Sequence, residues 1–270
     1  MRIIDFHAHI FPDKIAHLAV QNLENHYKLQ WYGKGTLEDM RREMEESGFY
    51  RAVVFSTPTK PSQVLVNDDF LLSIKDEKFI VFGSVHPEYE EAAQEIDRLK
   101  NAGIRGFKFH PDFQRFNIDD DKALRLYDKI GSDYPIVLHV GDKELKFSAP
   151  ERLARVLEKF PEHKFVAAHM GGYMVWDTEA KYLVGKHVWF DTSSTMYAVT
   201  PEHMAEMIKA HGADKVLFGT DYPALSTVDE AKRVMQLDLS DEEKEMIMHK
   251  NAEKLLGKMV VEQSVIEKYL

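Results

Sequence analysis

The chain has no cysteine among its 270 residues. That absence excludes disulfides, thiolate metal sites, cysteine-held iron–sulfur clusters and a cysteine nucleophile, so any metal centre must be built from imidazole and carboxylate. Basic residues are outnumbered, 35 Lys and Arg against 45 Asp and Glu, and the resulting net charge of -10 has the wrong sign for a general binder of nucleic-acid phosphates. No stretch approaches the roughly 18 to 20 apolar residues that a membrane-spanning helix requires. The opening MRIIDFHAHIF, with an aspartate and two histidines, cannot serve as the apolar core of a secretion signal. A soluble, cytoplasmic protein without nucleic-acid or membrane partners is the expectation. Gly/Ser linkers and low-complexity tracts are missing too, and no G-x-G-x-x-G or G-x-x-x-x-G-K-[ST] follows a strand. What is abundant is histidine, at 13 residues, and that abundance is the feature to explain.

Along the chain, short β-branched or aromatic runs alternate with longer charged segments of helical period. The pattern predicts strands at Arg2–His9, Ala52–Ser56, Phe79–Val85, Ile104–His110, Pro135–Val140, Lys164–His169, His187–Thr192 and Lys215–Thr220. Helices are predicted at Met40–Ser47, behind a Thr36/Asp39 capping box, and at Pro87–Ala102, Asp119–Ile130 and Pro201–Ala210. A last one opens at the Ser240/Glu243 box and closes at Gly257. About eight strand–helix pairs imply a parallel sheet covered by helices. The length suits a closed (β/α)8 barrel, typically ~250 residues, and we expect one such domain over residues 1–270 with a C-terminal helical extension.

Catalytic groups of a barrel lie at the carboxyl ends of its strands, and six histidines fall there. His7 and His9 close the first strand, His86 follows the third, His110 closes the fourth, His139 the fifth and His169 the sixth; Asp221 follows the eighth. His17, His26, His163, His187, His203, His211 and His249 fall on helices or at strand beginnings, where structural roles are expected. The spacing of His7 and His9 puts both imidazoles on one strand face, about 6.6 Å apart along the backbone, close enough to converge on one ion. Strict alternation would then turn Asp5, His7 and His9 inward and Ile4, Phe6, Ala8 and Ile10 outward. Elsewhere an apolar run delivers one histidine or aspartate before glycine or proline breaks it, as in PIVLHVG, FVAAHMGG and VLFGTDYP. Burying such groups singly is costly, and a shared divalent cation is the natural partner.

DFHAHIF, GFKFHP, VLHVG, AAHMGG, FDTSS and FGTDYP, in that order, with NAEKLLG near the end, resemble the motifs of the amidohydrolase superfamily. The resemblance spans residues 3 to 257 and is nearest the amidohydrolase-related branch, with its aminocarboxymuconate-semialdehyde decarboxylase-like and dicarboxylate lactonase-like enzymes. It implies a TIM barrel holding one divalent metal. Zinc is the first expectation, with manganese, iron and cobalt compatible with the same ligands. His7, His9, His139 and Asp221 would be the ligands. His169 and Asp221 would act as catalytic acid/base groups, and Lys108 and His110 would bind an anionic group of a small-molecule substrate. A binuclear site bridged by carboxylated Lys108 is the lesser alternative, and an ion pair between Lys108 and a carboxylate such as Asp5 is another use of that lysine. Asp5 is expected to support His7. Asp191 either supports a ligand or starts a turn, and the role of His86 stays open. The expected reaction is hydrolysis of an amide, lactone or ester through a metal-activated water. The same residues would also serve a non-oxidative decarboxylase or hydratase. Aromatic walls could come from Phe11, Trp31, Tyr32, Tyr173 and Trp176. A homo-oligomer is compatible with the sequence, and nothing in it encodes one.

Overall fold

The computed structural model describes residues 2–257. Eight short strands run in parallel: β1 Ile4–His9, β2 Arg51–Phe55, β3 Phe79–Val81, β4 Phe107–Phe109, β5 Ile136–Leu138, β6 Phe165–Ala167, β7 Trp189–Asp191 and β8 Val216–Leu217. They form two ladders, β1-β2-β3 and β4 through β8 in order. Two seams close them into a barrel. At one, Gly83 N donates to Gly106 O and Lys108 N to Gly83 O; at the other, Phe6 N donates to Phe218 O, Asp221 N to His7 O and His9 N to Tyr222 O. No helix among the described residues is long and apolar enough to cross a membrane.

Residues of alternate parity sort into two cores. Phe107, Phe109, Ile136, Leu138, Phe165 and Ala167 face the helices, whereas Val53, Phe55, Ile80, Phe82, Val137, Val166 and Leu217 fill the interior. β1 departs from the expected alternation. Ile4 and Phe6 pack with the interior set, not outward, while Ala8 and Ile10 join the outer one. The cause is a β-bulge: Asp5 pairs with Ala52 but Ala8 pairs with Val54, so one extra residue is accommodated between them. The bulge lets an apolar Phe6 plug the barrel while His7 and His9 still reach its mouth.

The outer layer comprises α1 Asp13–Tyr27, α2 Leu37–Ser47, α3 Val64–Leu72, α4 Ala92–Asn101, the single turn α5 Pro111–Gln114, α6 Asp121–Ile130, α7 Pro150–Lys159, α8 Pro201–His211 and α9 Thr227–Met235. α4 starts later than its expected Pro87, because residues 87–91 are spent on turns, with Tyr89 N bonded to His86 O. The Thr36/Asp39 box is only half formed. Thr36 Oγ1 accepts the Asp39 N–H, but the Asp39 carboxylate turns away to other partners. The Ser240/Glu243 box is complete. Behind it the last helix is three pieces, α10 Asp241–Glu245, a π turn Met246–Lys250 and α11 Asn251–Leu256. Ala252, Leu255 and Leu256 of α11 join the interior core, leaving the opposite, carboxyl rim for chemistry. Any helical extension beyond Gly257 lies outside the described residues.

Candidate metal centre and active site

Three of the expected ligands meet at the rim. His7 Nε2 lies 3.2 Å from His9 Nε2 and 3.4 Å from Asp221 Oδ1, and His9 Nε2 lies 3.5 Å from the same oxygen. Ligand atoms about 2.1 Å from a tetrahedral ion stand roughly 3.4 Å apart, so the three fit one face of such a coordination shell. The bulge supplies His7 and His9. Asp221 arrives in a left-handed conformation, φ 63°, which aspartate tolerates better than most residues. Gly219, just past β8, lets His7 approach, since a Cβ there would lie 2.9 Å from the His7 Cβ.

The tautomer of His7 suits a ligand. Its Nδ1–H donates to Asp191 Oδ2 at 2.9 Å, which leaves the Nε2 lone pair facing His9 and Asp221. Asp191 is a buried hub that also accepts from the backbone N–H groups of His169 and Ser193, at 3.1 Å each, and from the Ser193 hydroxyl. Asp5 supports the same region from behind, accepting from His7 N, Thr220 N and Thr220 Oγ1. Replacing Asp191 with asparagine removes the anionic acceptor. It is expected to weaken cation binding by about 10- to 100-fold in a Mn2+ titration, with an unchanged affinity as the contrary result.

His139 lies outside the triangle. Its Nδ1 is 2.9 Å from His169 Nε2 and its Nε2 is 3.0 Å from Gly141 O. His169 is re-aimed by a left-handed backbone, φ 59°. Val166 and Ala168 both face the interior, so regular alternation would send residue 169 outward. Its Nδ1 meets Ser193 Oγ at 2.9 Å. Burial holds His7, His9, His110, His139 and His169 well below the usual imidazole range, so each is a neutral ring.

Lys108 is fully buried among Phe55, 4.9 Å from its ammonium, and His7, whose Nε2 is 3.3 Å from Nζ. Asp5 is occupied by His7 and Thr220 instead. Burial brings Lys108 down to about 8, against the pull of Asp191 and Asp221. His110 caps α5, accepting Phe113 N at Nδ1, and lies flat between Phe113 and His139, each ring 4.0 Å away. Burial also pushes Asp221 up to about 6, opposed by the Ser194 hydroxyl and Lys108. Below that pH the carboxyl holds a proton, and cation affinity is therefore expected to fall as the pH is lowered through that value. Mn2+ titrations on either side of it check this, and equal affinities would contradict it.

Tyr27 from α1 roofs the site. Its hydroxyl is 3.3 Å from His110 Nε2, and its ring meets Trp31, Phe113 and Tyr173. Tyr173 also faces His139 and His169 and bonds to Tyr197. Trp176 donates to His169 O. Tyr32 bonds to Glu43, and Phe11 packs at Gly35 beside Pro223 and Val20. Neither Tyr27 nor Phe113 carried a sequence signal. His86 caps a turn, accepting Glu88 N. Of the scattered histidines, His163 and His211 bond backbone carbonyls, and His203 and His249 pair with nearby acids.

This barrel with its histidine-aspartate rim has the architecture of metal-dependent TIM-barrel enzymes. The amidohydrolase family profile matches residues 4–258, so the chain belongs to the amidohydrolase family. No curated protein sequence matches it. Among solved structures, a putative amidohydrolase from Staphylococcus aureus is similar at TM-score 0.72 with 18% identity, covering 95% of this chain and 100% of that one. A dihydroxybenzoic acid decarboxylase from Polaromonas sp. JS666, with bound manganese and the inhibitor 2-nitroresorcinol, gives 0.73 and 18%, covering 94% and 96%. The 5-carboxyvanillate decarboxylase from Sphingomonas paucimobilis gives 0.69 and 14%, covering 94% and 98%.

Proposed function

We propose that this protein is a divalent-metal-dependent, non-oxidative decarboxylase of a small hydroxylated aromatic carboxylic acid. The observation that carries the reading is the triangle of His7, His9 and Asp221 beneath an aromatic roof of Tyr27, Phe113 and Tyr173. The structural likeness to manganese-containing aromatic acid decarboxylases supports it. His139 is the fourth candidate ligand, reached by turning away from His169. A cation held there supplies charge neutralisation for the carboxylate and phenolate oxygens of the substrate.

The chain's own groups do the rest. Lys108 attracts the anionic substrate from the barrel floor, and the roof aligns its ring. His169 gives its Nδ1–H to Ser193 O, so the neutral ring offers its bare Nε2 as an acceptor to a substrate hydroxyl. Asp221 Oδ2 takes the proton of a substrate ring hydroxyl; as the carbon–carbon bond breaks, its electron pair stays on the ring carbon, carbon dioxide leaves, the carbon takes that proton from Asp221, and water reprotonates the product phenolate. Hydrolysis of an amide, lactone or ester, the first expectation from the sequence, would draw on the same residues and has less support from the structural likenesses. The test is to load the protein with Mn2+ or Zn2+ and supply dihydroxybenzoates and carboxyvanillate alongside small lactones, esters and amides. Carbon dioxide release equal to acid consumed is the expected result. Cleavage of lactones, esters or amides without carbon dioxide would overturn it.

A further inference from the structure

Asp221 can face His7 and His9 only while the turn leaving β8 keeps its left-handed geometry. That turn is gripped from the outside. Tyr222, fully buried, donates its hydroxyl to Asp39 Oδ2 at 2.6 Å, and the same oxygen accepts Lys34 N at 2.7 Å. Arg42 covers the other Asp39 oxygen. Gly33 lies flat against the Tyr222 ring, where a Cβ would come within 2.5 Å. Pro223 O accepts Tyr32 N at 3.0 Å and Gly33 N at 2.9 Å. The loop between α1 and α2, which also carries Trp31, is therefore hung from the residues that immediately follow Asp221. Asp39 is buried on the first turn of α2, yet its carboxylate serves this loop and Tyr222, not its own cap.

We propose that Asp39 is a positioning residue for Asp221, acting through the Tyr222 hydroxyl to set the cation affinity of the His7–His9–Asp221 triangle. The inference rests on that triangle being the cation site. Substituting Tyr222→Phe deletes one hydroxyl and leaves Asp39 with Lys34 and Arg42. Outer partners of metal ligands commonly govern affinity by 10- to 100-fold, and here a rise of about tenfold in the Kd for Mn2+ is expected. Asp39→Asn shifts the Kd in the same direction. The double variant is no weaker than Tyr222→Phe alone, because both act through one contact. A purely structural role is tested with Val234→Ala, a core cavity on α9. It lowers the unfolding temperature measured with chelator at least as much and leaves the Kd at the wild-type value. An unchanged Kd in Tyr222→Phe, with Mn2+ binding lost in Asp221→Asn, overturns the positioning role while the cation site stands. A wild-type Kd in Asp221→Asn overturns the cation site, and the positioning role with it.

Discussion

Asp221→Asn and His7→Ala are both expected to abolish cation binding and turnover, yet to differ sharply in stability. The amide that replaces the Asp221 carboxylate keeps its volume and its contact with the Ser194 hydroxyl. Chelator-treated Asp221→Asn should therefore unfold close to wild type. His7→Ala empties a fully buried position and takes the Nδ1–H donor away from Asp191, itself fully buried. Removing one partner of a buried pair costs about 3 to 5 kcal/mol. The low end applies here, since the two backbone N–H groups and the Ser193 hydroxyl remain on Asp191. At ~2 to 4 °C per kcal/mol for a domain of this size, the metal-free His7→Ala variant should melt roughly 6 to 12 °C lower. His9→Ala, at the partly exposed mouth, should lose the cation with little thermal penalty. Unfolding curves in chelator alongside Mn2+ titrations separate the effects. Equal melting points for His7→Ala and His9→Ala would refute Asp191 as the group that orients His7.

The different fates of His7 and His9 trace back to a feature that DFHAHIF does not display. Period two and the glycine or proline breaks place His7, His9, His110, His139 and Asp221 at one rim, because strand ends are local and apolar runs are easily seen. The bulge in β1 arises from pairing with β2, a partner beyond two intervening helices, and it reverses the facing of Ile4 and Phe6. His169 falls in the same class. AAHMGG announces a turn through its glycines, but the left-handed backbone that brings the ring inside sits at His169 and Met170, ahead of the glycines that advertise the turn. Asp191 in FDTSS could support a ligand or start a turn, and in the structure it bonds both the His7 ring and the Ser193 N–H. α1 and α3 escape notice for local reasons. α1 begins at Pro12 with no side-chain cap and ends on Lys28 in place of glycine, and VLVNDDFLL in α3 puts apolar residues on both faces. Tyr27, at the end of α1, is consequently the part of the site least accessible to sequence reasoning.

His169→Gln is expected to separate chemistry from metal binding. His169 Nε2 reaches His139, and Nδ1 reaches Ser193 Oγ, so the ring lies beside the triangle without closing it. Burial keeps it neutral, and with its Nδ1–H given to Ser193 O the bare Nε2 suits an acceptor for a substrate hydroxyl in the proposed reaction and makes it a poor supplier of a proton. Loss of a positioned acceptor of that kind costs about 10²- to 10⁴-fold in kcat. The cation stoichiometry and the Kd for Mn2+ should stay near wild type, and so should KM, because the acceptor acts most strongly in the transition state. The backbone conformation sharpens the choice of variant. A left-handed residue tolerates glutamine less readily than asparagine, so His169→Asn serves as the second probe: if both lose kcat alike with metal intact, the side chain and not the backbone is responsible. Coincident loss of Mn2+ in both would instead place His169 among the ligands, and unchanged kcat in both would remove it from the reaction.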